Sequence, residues 1–137
     1  MAACDNIVGV KNILIKFTNC DTGQVTGPFQ HELAKEDLPK WRTYAYKQEA
    51  LPGGFVRRHH IHPECEMDIR RDLRVPLLDY QGRSQLDIQV EYDNGLVYTG
   101  TSGGVVGDEK SDTHEVMLRI AFRSLAELLP PGALIAA

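Results

Sequence analysis

Residues 53–66, GGFVRRHHIHPECE, gather the side chains best equipped for chemistry. Imidazole, thiolate and carboxylate are the ligands zinc takes, four of them in tetrahedral array. His60 and His62 stand two apart, a spacing that puts both on one face of a strand. Glu64 and Cys65 follow closely, but Pro63 interrupts the strand, and His31 and His114 lie isolated elsewhere. Cys65 with His59 or His60 would make a nucleophile and its base, although no G-x-S-x-G elbow is present. The serine in GTSGG sits between two candidate strands with no helix to lend its dipole, which reads as a turn. The glycines of 100–107 do not match the phosphate-binding G-x-x-x-x-G-K-[ST] pattern. Asp108, Glu109 and Asp112 lack EF-hand spacing and read as an acidic turn. Two readings of the opening stretch stand: a metal-binding module or metal-dependent enzyme built on residues 59–66, or a charged loop at an interface. The residues favour the loop, with no catalytic residue, no metal and no cofactor expected.

Such a loop needs elements to carry it. The chain has 137 residues, 42% hydrophobic and 25% charged, which predicts one folded domain over 1–137. Its net charge of −4 and lack of a basic run argue against a general nucleic-acid grip. Cys4, Cys20 and Cys65 form no CxxC pair and are expected as free thiols in a reducing compartment. No signal peptide is expected, and no apolar stretch approaches a membrane span.

Alternation dominates. Ile13, Ile15 and Phe17 alternate with Asn12, Leu14 and Lys16, a strand with one wetter face. NCDTGQVTGP then turns the chain. QHELAKEDLPK predicts a short flanking helix ending at Pro39. WRTYAYKQEA reads as one strand. Pro52, Gly53 and Gly54 break it, predicting an extended loop or long protruding hairpin over about 51–64. Cys65, Met67 and Ile69 share the face of a further strand, and VPLLDYQGR looks helical or irregular. Leu86, Ile88, Val90 and Tyr92 alternate with Asp87, Gln89 and Glu91, and Asn-Gly follows as a hairpin signal. A Gly-rich connection leads to the last strand, with Val116, Leu118, Ile120 and Phe122 inward. Ser124 and Glu127 stand at capping-box spacing and predict a short C-terminal helix. The sum is six or seven strands and two small helices: mainly β, an antiparallel sandwich or barrel.

The order of these elements resembles the tail tube proteins of contractile-tailed bacteriophages. IVGVKNILIKFTNCDTGQVTGP is similar to their first hairpin and LPGGFVRR to the loop that follows. LDIQVEYDNGLVYTGTSGGVVGDEKSDTHEVMLRIAFRSLAELLPPG is similar to their closing half. Type VI secretion tube proteins share the fold. The resemblance implies a non-enzymatic subunit of six-fold rings, with strands of neighbours joined in an inner barrel. Rings would stack into a hollow tube inside a contractile sheath, in the tail of the virion, after assembly in the host cytoplasm. Partners implied are the chain itself, the tail sheath protein, and baseplate and tail terminator proteins. The tape measure protein and viral DNA would pass through the lumen without sequence-specific binding, and no membrane is involved. Leu51, Pro52, Gly53, Gly54, Phe55, Arg57, Arg58, His59, His60 and His62 would form the loop that reaches the next ring. Arg57 and Arg58 would meet Asp108, Glu109 or Asp112 there. Asp87, Gln89 and Glu91 are the candidate lumen lining, because an acidic or neutral wall does not hold phosphate. The face with Met117, Arg119 and Arg123 is the alternative.

Overall fold

The structure is a computed structural model and describes residues 9–35, 37–43, 46–106 and 114–129. Ten strands appear: β1 Val10–Asn19, β2 Val25–His31, β3 Lys40–Arg42, β4 Tyr46–Ala50, β5 Val56–His60, β6 Glu64–Arg70, β7 Ser84–Tyr92, β8 Val97–Val105, β9 Glu115–Ala121 and β10 Ser124–Leu128. The number exceeds the sequence expectation for local reasons. The single strand read across WRTYAYKQEA is two, β3 and β4. The Gly-rich connection begins later than expected, because β8 runs on through Gly103 and Gly104 to Val105.

All pairings are antiparallel, in the path β2-β1-β7-β8-β9-β6-β3, with β10 on β8 and β4 and β5 paired only with each other. β1 and β2 are joined by a tight turn in which Asn19 caps Asp21 and Thr22 through its side chain. The Asn-Gly signal holds: Gly95, at φ 91°, closes the β7–β8 turn by donating to the Tyr92 carbonyl at 3.0 Å. A side chain at that φ would press on its own backbone, so glycine is the residue the turn accepts.

Period-two alternation puts one face of each central strand into a common core. Ile13, Ile15 and Phe17 of β1, Leu86, Ile88 and Val90 of β7, Cys65, Met67 and Ile69 of β6, and Val116, Leu118 and Ile120 of β9 are buried in it. β8 joins the two halves. It pairs with β7 through Gly103 and with β9 at Gly104 and Val105. A Cβ on Gly103 would lie 2.6 Å from Ile120 Cγ2 and 2.8 Å from the Leu86 carbonyl, so the crossing is possible only without one.

Three expectations are corrected. Among the described residues the sheet does not close into a barrel: β2 pairs only with β1, and β3 only with β6. The flanking helix is absent among the described residues of 30–39. There Leu33 bridges Ile69, Ala34 N–H donates to Asp68 O, and Arg70 N–H donates to Glu32 O. Those cross-strand bonds occupy backbone groups a helix would need for itself. The C-terminal helix is also replaced. Ser124–Leu128 is β10, in register with β8 from Ser124↔Thr101 to Leu128↔Val97. Five residues cannot sustain a helix alone, whereas the open edge of β8 satisfies their backbone at once. The helical reading of VPLLDYQGR holds as a wide turn at Asp79–Arg83, broken at Gly82 where φ is 118°.

Candidate functional site

Of the stretch 51–64, Val56–His60 is β5, which pairs with β4 in a two-stranded hairpin, one of the two forms expected for it. β4 and β5 pair from Tyr46↔His60 to Ala50↔Val56. Leu51 N–H donates to the Phe55 carbonyl at 2.8 Å and closes the tip over Pro52–Gly54. Gly53 and Gly54 have φ of 84° and 83°, a left-handed backbone that glycine adopts without strain and that breaks the strand where the sequence placed the break. Every residue of β4 is exposed. At the tip, Phe55 is 71% exposed and Val56 61%. An aromatic ring left this open, on a strand pair that joins no other strand among the described residues, is an unsatisfied apolar contact.

Register divides the hairpin into two faces. Tyr46, Gln48, Arg58 and His60 share one. There the Arg58 guanidinium lies 4.2 Å from the Tyr46 ring centre, a cation–π contact. His60 meets Tyr46 edge-on at 5.5 Å and His62 at 5.2 Å. Lys47, Glu49, Arg57 and His59 share the other face, where His59 Nε2 and Glu49 Oε2 are 2.8 Å apart. The hairpin root is held by Arg42, which donates to the His62 carbonyl and lies 3.4 Å from Glu64.

This geometry takes the histidine cluster apart. His59 faces away from His60, and Cys65 lies wholly inside the core, where burial pushes its thiol far above the ordinary value. No group of three metal-ligating side chains is assembled among the described residues. Period-two alternation is the reason: neighbours in a ligand-rich string point in opposite directions once the string is a strand.

The second candidate surface is the outer face of β1 and β7. Across the pair, Lys16 faces Asp87, Leu14 faces Gln89, and Asn12 faces Glu91. On the next strand Thr99 follows Gln89 and Val97 follows Glu91, and on β10 Ala126 and Leu128 extend the rows. Asp87 is less free than the sequence suggested. Lys16 Nζ lies 3.3 Å from Oδ2, and Oδ1 accepts the Ser102 N–H at 2.8 Å. Gln89 Nε2 donates to Glu91 Oε1 at 3.1 Å. The face mixes polar and apolar side chains and is close to neutral, one lysine against two carboxylates.

The alternative face carries a mixed lattice. Glu64 takes Arg42 at 3.4 Å and Arg119 at 3.6 Å, Lys35 takes Asp68 at 3.6 Å, and Lys40 and Arg119 flank Glu66 in register. Met117 stands exposed among them. The acidic residues Asp108, Glu109 and Asp112 lie outside the described residues.

Sequence reasoning missed two interior polar groupings. Trp41 Nε1 donates to Tyr92 OH at 2.8 Å and its ring stacks on Tyr98 at 4.7 Å, tying edge strand β3 to β7 and β8. His31, at the end of β2, bonds Tyr80 OH at 2.7 Å across 49 residues of chain. Nothing local announces either pair, because the partners meet only through the tertiary fold.

The described residues form an antiparallel β protein with an exposed hairpin and an outer sheet face on β1 and β7. The sequence model of the phage tail tube protein family matches residues 45–126, from the start of the hairpin into β10. The chain belongs to the phage tail tube protein family, a structural and non-enzymatic one. The comparison with curated proteins returned no match. No helix among the described residues is long and apolar enough to cross a membrane.

Proposed function

We propose that this chain, as one sandwich-like domain, closes into six-fold rings that stack as the hollow tube of a contractile phage tail. One observation carries the reading: the unit formed by β2, β1, β7, β8 and β10 has an open strand on each side. Among the described residues β2 pairs only with β1, and β10 only with β8. An open edge is a hazard for a monomer, and a ring removes it by pairing one edge with the next subunit's other edge. A ring so joined has a continuous wall, and the outer face of β1 and β7 is our choice for its lumen. Asp87, Gln89 and Glu91 then line a path that is nearly neutral, where DNA finds few cations to hold it. The tape measure protein would fill the same path before DNA enters. The mixed-charge face around Glu64 and Arg119 would look outward to the sheath, and ring faces at the tube ends to baseplate and terminator proteins.

The hairpin would reach the adjacent ring, its apolar tip at Phe55 and Val56 buried there and Arg57 and Arg58 meeting acidic residues such as Asp108, Glu109 or Asp112. The test is negative-stain electron microscopy of concentrated protein, with and without EDTA. Hollow rings or tubes in both samples are expected. Dispersed particles in both would overturn the assembly reading. In parallel, R57E/R58E should leave the fold intact and abolish stacking.

A further inference from the structure

Among the described residues the fold buries a single imidazole. His31 is 4% exposed, at the last position of β2. Its two nitrogens have different partners. Nδ1 lies 2.9 Å from the Phe29 carbonyl, which can only accept, so Nδ1 carries the hydrogen. In the neutral ring Nε2 is then an acceptor, and Tyr80 must donate its hydroxyl hydrogen to it across 2.7 Å. The Tyr80 oxygen in turn accepts the Asp72 N–H at 3.0 Å. All hydrogens in this chain run one way, from Asp72 through Tyr80 to His31 and on to Phe29. Phe17 packs against both rings, at 4.9 Å from Tyr80 and 6.2 Å from His31.

A second proton on His31 would break this order. Nε2 would become a donor facing a hydroxyl whose own hydrogen already points at it. Tyr80 would have to turn that hydrogen away from His31 and give up its bond to Nε2. The charged neighbours do little to offset this. The Asp72 carboxylate is held by Arg74 at 3.0 and 2.7 Å, and Asp79 on the helical turn by Arg83 at 2.8 Å. Arg71 donates to the Val75 carbonyl at 3.1 Å. Glu32 and Arg70 line the shallow cleft outside the ring. Burial holds His31 below the ordinary histidine value, against the Phe29 carbonyl and Asp72, which favour the charged form.

We propose that His31 is a proton-operated latch: neutral, it fastens the end of β2 to the 71–83 segment through Tyr80, and protonation releases β2. Because β2 is one of the two open edges of the unit formed by β2, β1, β7, β8 and β10, release should weaken subunit pairing in acid; this consequence rests on the tube reading above. The sign is fixed by linkage. The folded state resists a proton that the unfolded chain takes at about pH 6.5, so this stability is present above that pH and lost as pH falls below it.

The test begins on dilute, unassembled protein. Nitrogen-15 NMR of the histidine rings should show His31 as the Nδ1–H tautomer, titrating below the ordinary histidine value. The unfolding constant in urea should rise by up to about tenfold per pH unit below about 6.5, a share missing in His31→Gln. Amides of 29–31 and Asp72 should lose exchange protection together on acidification, while those of β7 keep theirs. An Nε2–H tautomer, titration at or above about 6.5, or unchanged protection of 29–31 would each overturn the latch. The NMR arm needs no variant, so a failure of His31→Gln to fold leaves it decisive. Tube formation is then compared at pH 7.5 and 5.0. Tubes equally abundant at both would refute the link to assembly, and tubes at neither would refute the tube reading while the NMR result still judges the latch.

Discussion

Substituting Gly103 by alanine probes the place where β8 passes from one half of the fold to the other. The new Cβ would stand 2.6 Å from Ile120 Cγ2, 2.8 Å from the Leu86 carbonyl oxygen and 2.8 Å from Phe122 Cδ1. Ordinary contact begins at 3.4 Å, so the first neighbour must retreat by about 0.8 Å. The Leu86 carbonyl belongs to a paired backbone, and Ile120 and Phe122 are fully buried, so none of the three has open space behind it. Forcing a methyl group into such packing costs about 1–3 kcal/mol. With a urea slope of about 2 kcal/mol per molar, a 2 kcal/mol loss lowers the unfolding midpoint by about 1 M. Trp41 is the only tryptophan, half-buried against Tyr98, and its fluorescence reports the transition. Gly104→Ala is the control, because nothing lies within 4 Å of its added Cβ. A substitution there should be neutral or slightly stabilising, since alanine narrows the unfolded ensemble. If Gly103→Ala unfolds at the wild-type midpoint, or if Gly104→Ala proves equally damaging, the placement of the β8 crossing is wrong.

Tyr80→Phe leaves the Asp72 N–H and His31 Nε2 without their shared hydroxyl, and about 1–3 kcal/mol of stability should be lost in urea unfolding at pH 7.5. Phe55→Ser should change monomer stability by less than about 0.5 kcal/mol, since the ring touches solvent, yet sharply reduce tube yield in sedimentation. Lys16→Met should cost under about 1 kcal/mol, because the pair with Asp87 is partly exposed, and should be read by thermal melting. Cys20 should react with a thiol reagent at once, while Cys65, enclosed and with its thiol pushed up, should react only as the protein unfolds, as peptide mass spectrometry can check.

How much the sequence disclosed depended on how local the cause was. The core faces of β1, β6, β7 and β9 were legible because a strand buried on one side repeats every two residues, and Ile13, Leu86, Cys65 and Val116 keep that beat. The tip at Gly53 and Gly54 was legible because two adjacent left-handed residues leave few other choices. The two helices were misread. Residues 32–38 and 124–128 have acceptable helix composition and a capping-box spacing, but each lies beside an unpaired strand edge, on β6 and on β8. Propensity over so few residues amounts to tenths of a kcal/mol each, and edge pairing outweighs it.

The candidate site divides in the same way. The polar row Asp87, Gln89 and Glu91 follows from alternation, and the break at Pro52–Gly54 marked a loop or hairpin, so both could be named from the string. That Asp87 is tied to Lys16 and to Ser102, and that His59 and His60 point apart, required knowing register and pairing. By itself the sequence determined an antiparallel β chain with a break at Pro52–Gly54, because those features are set by neighbours a few residues away. Only the tertiary structure decided that the sheet stays open, that β10 extends it, and that His31 closes on Tyr80. Each of these depends on groups brought together from distant parts of the chain, whose encounter no local pattern encodes.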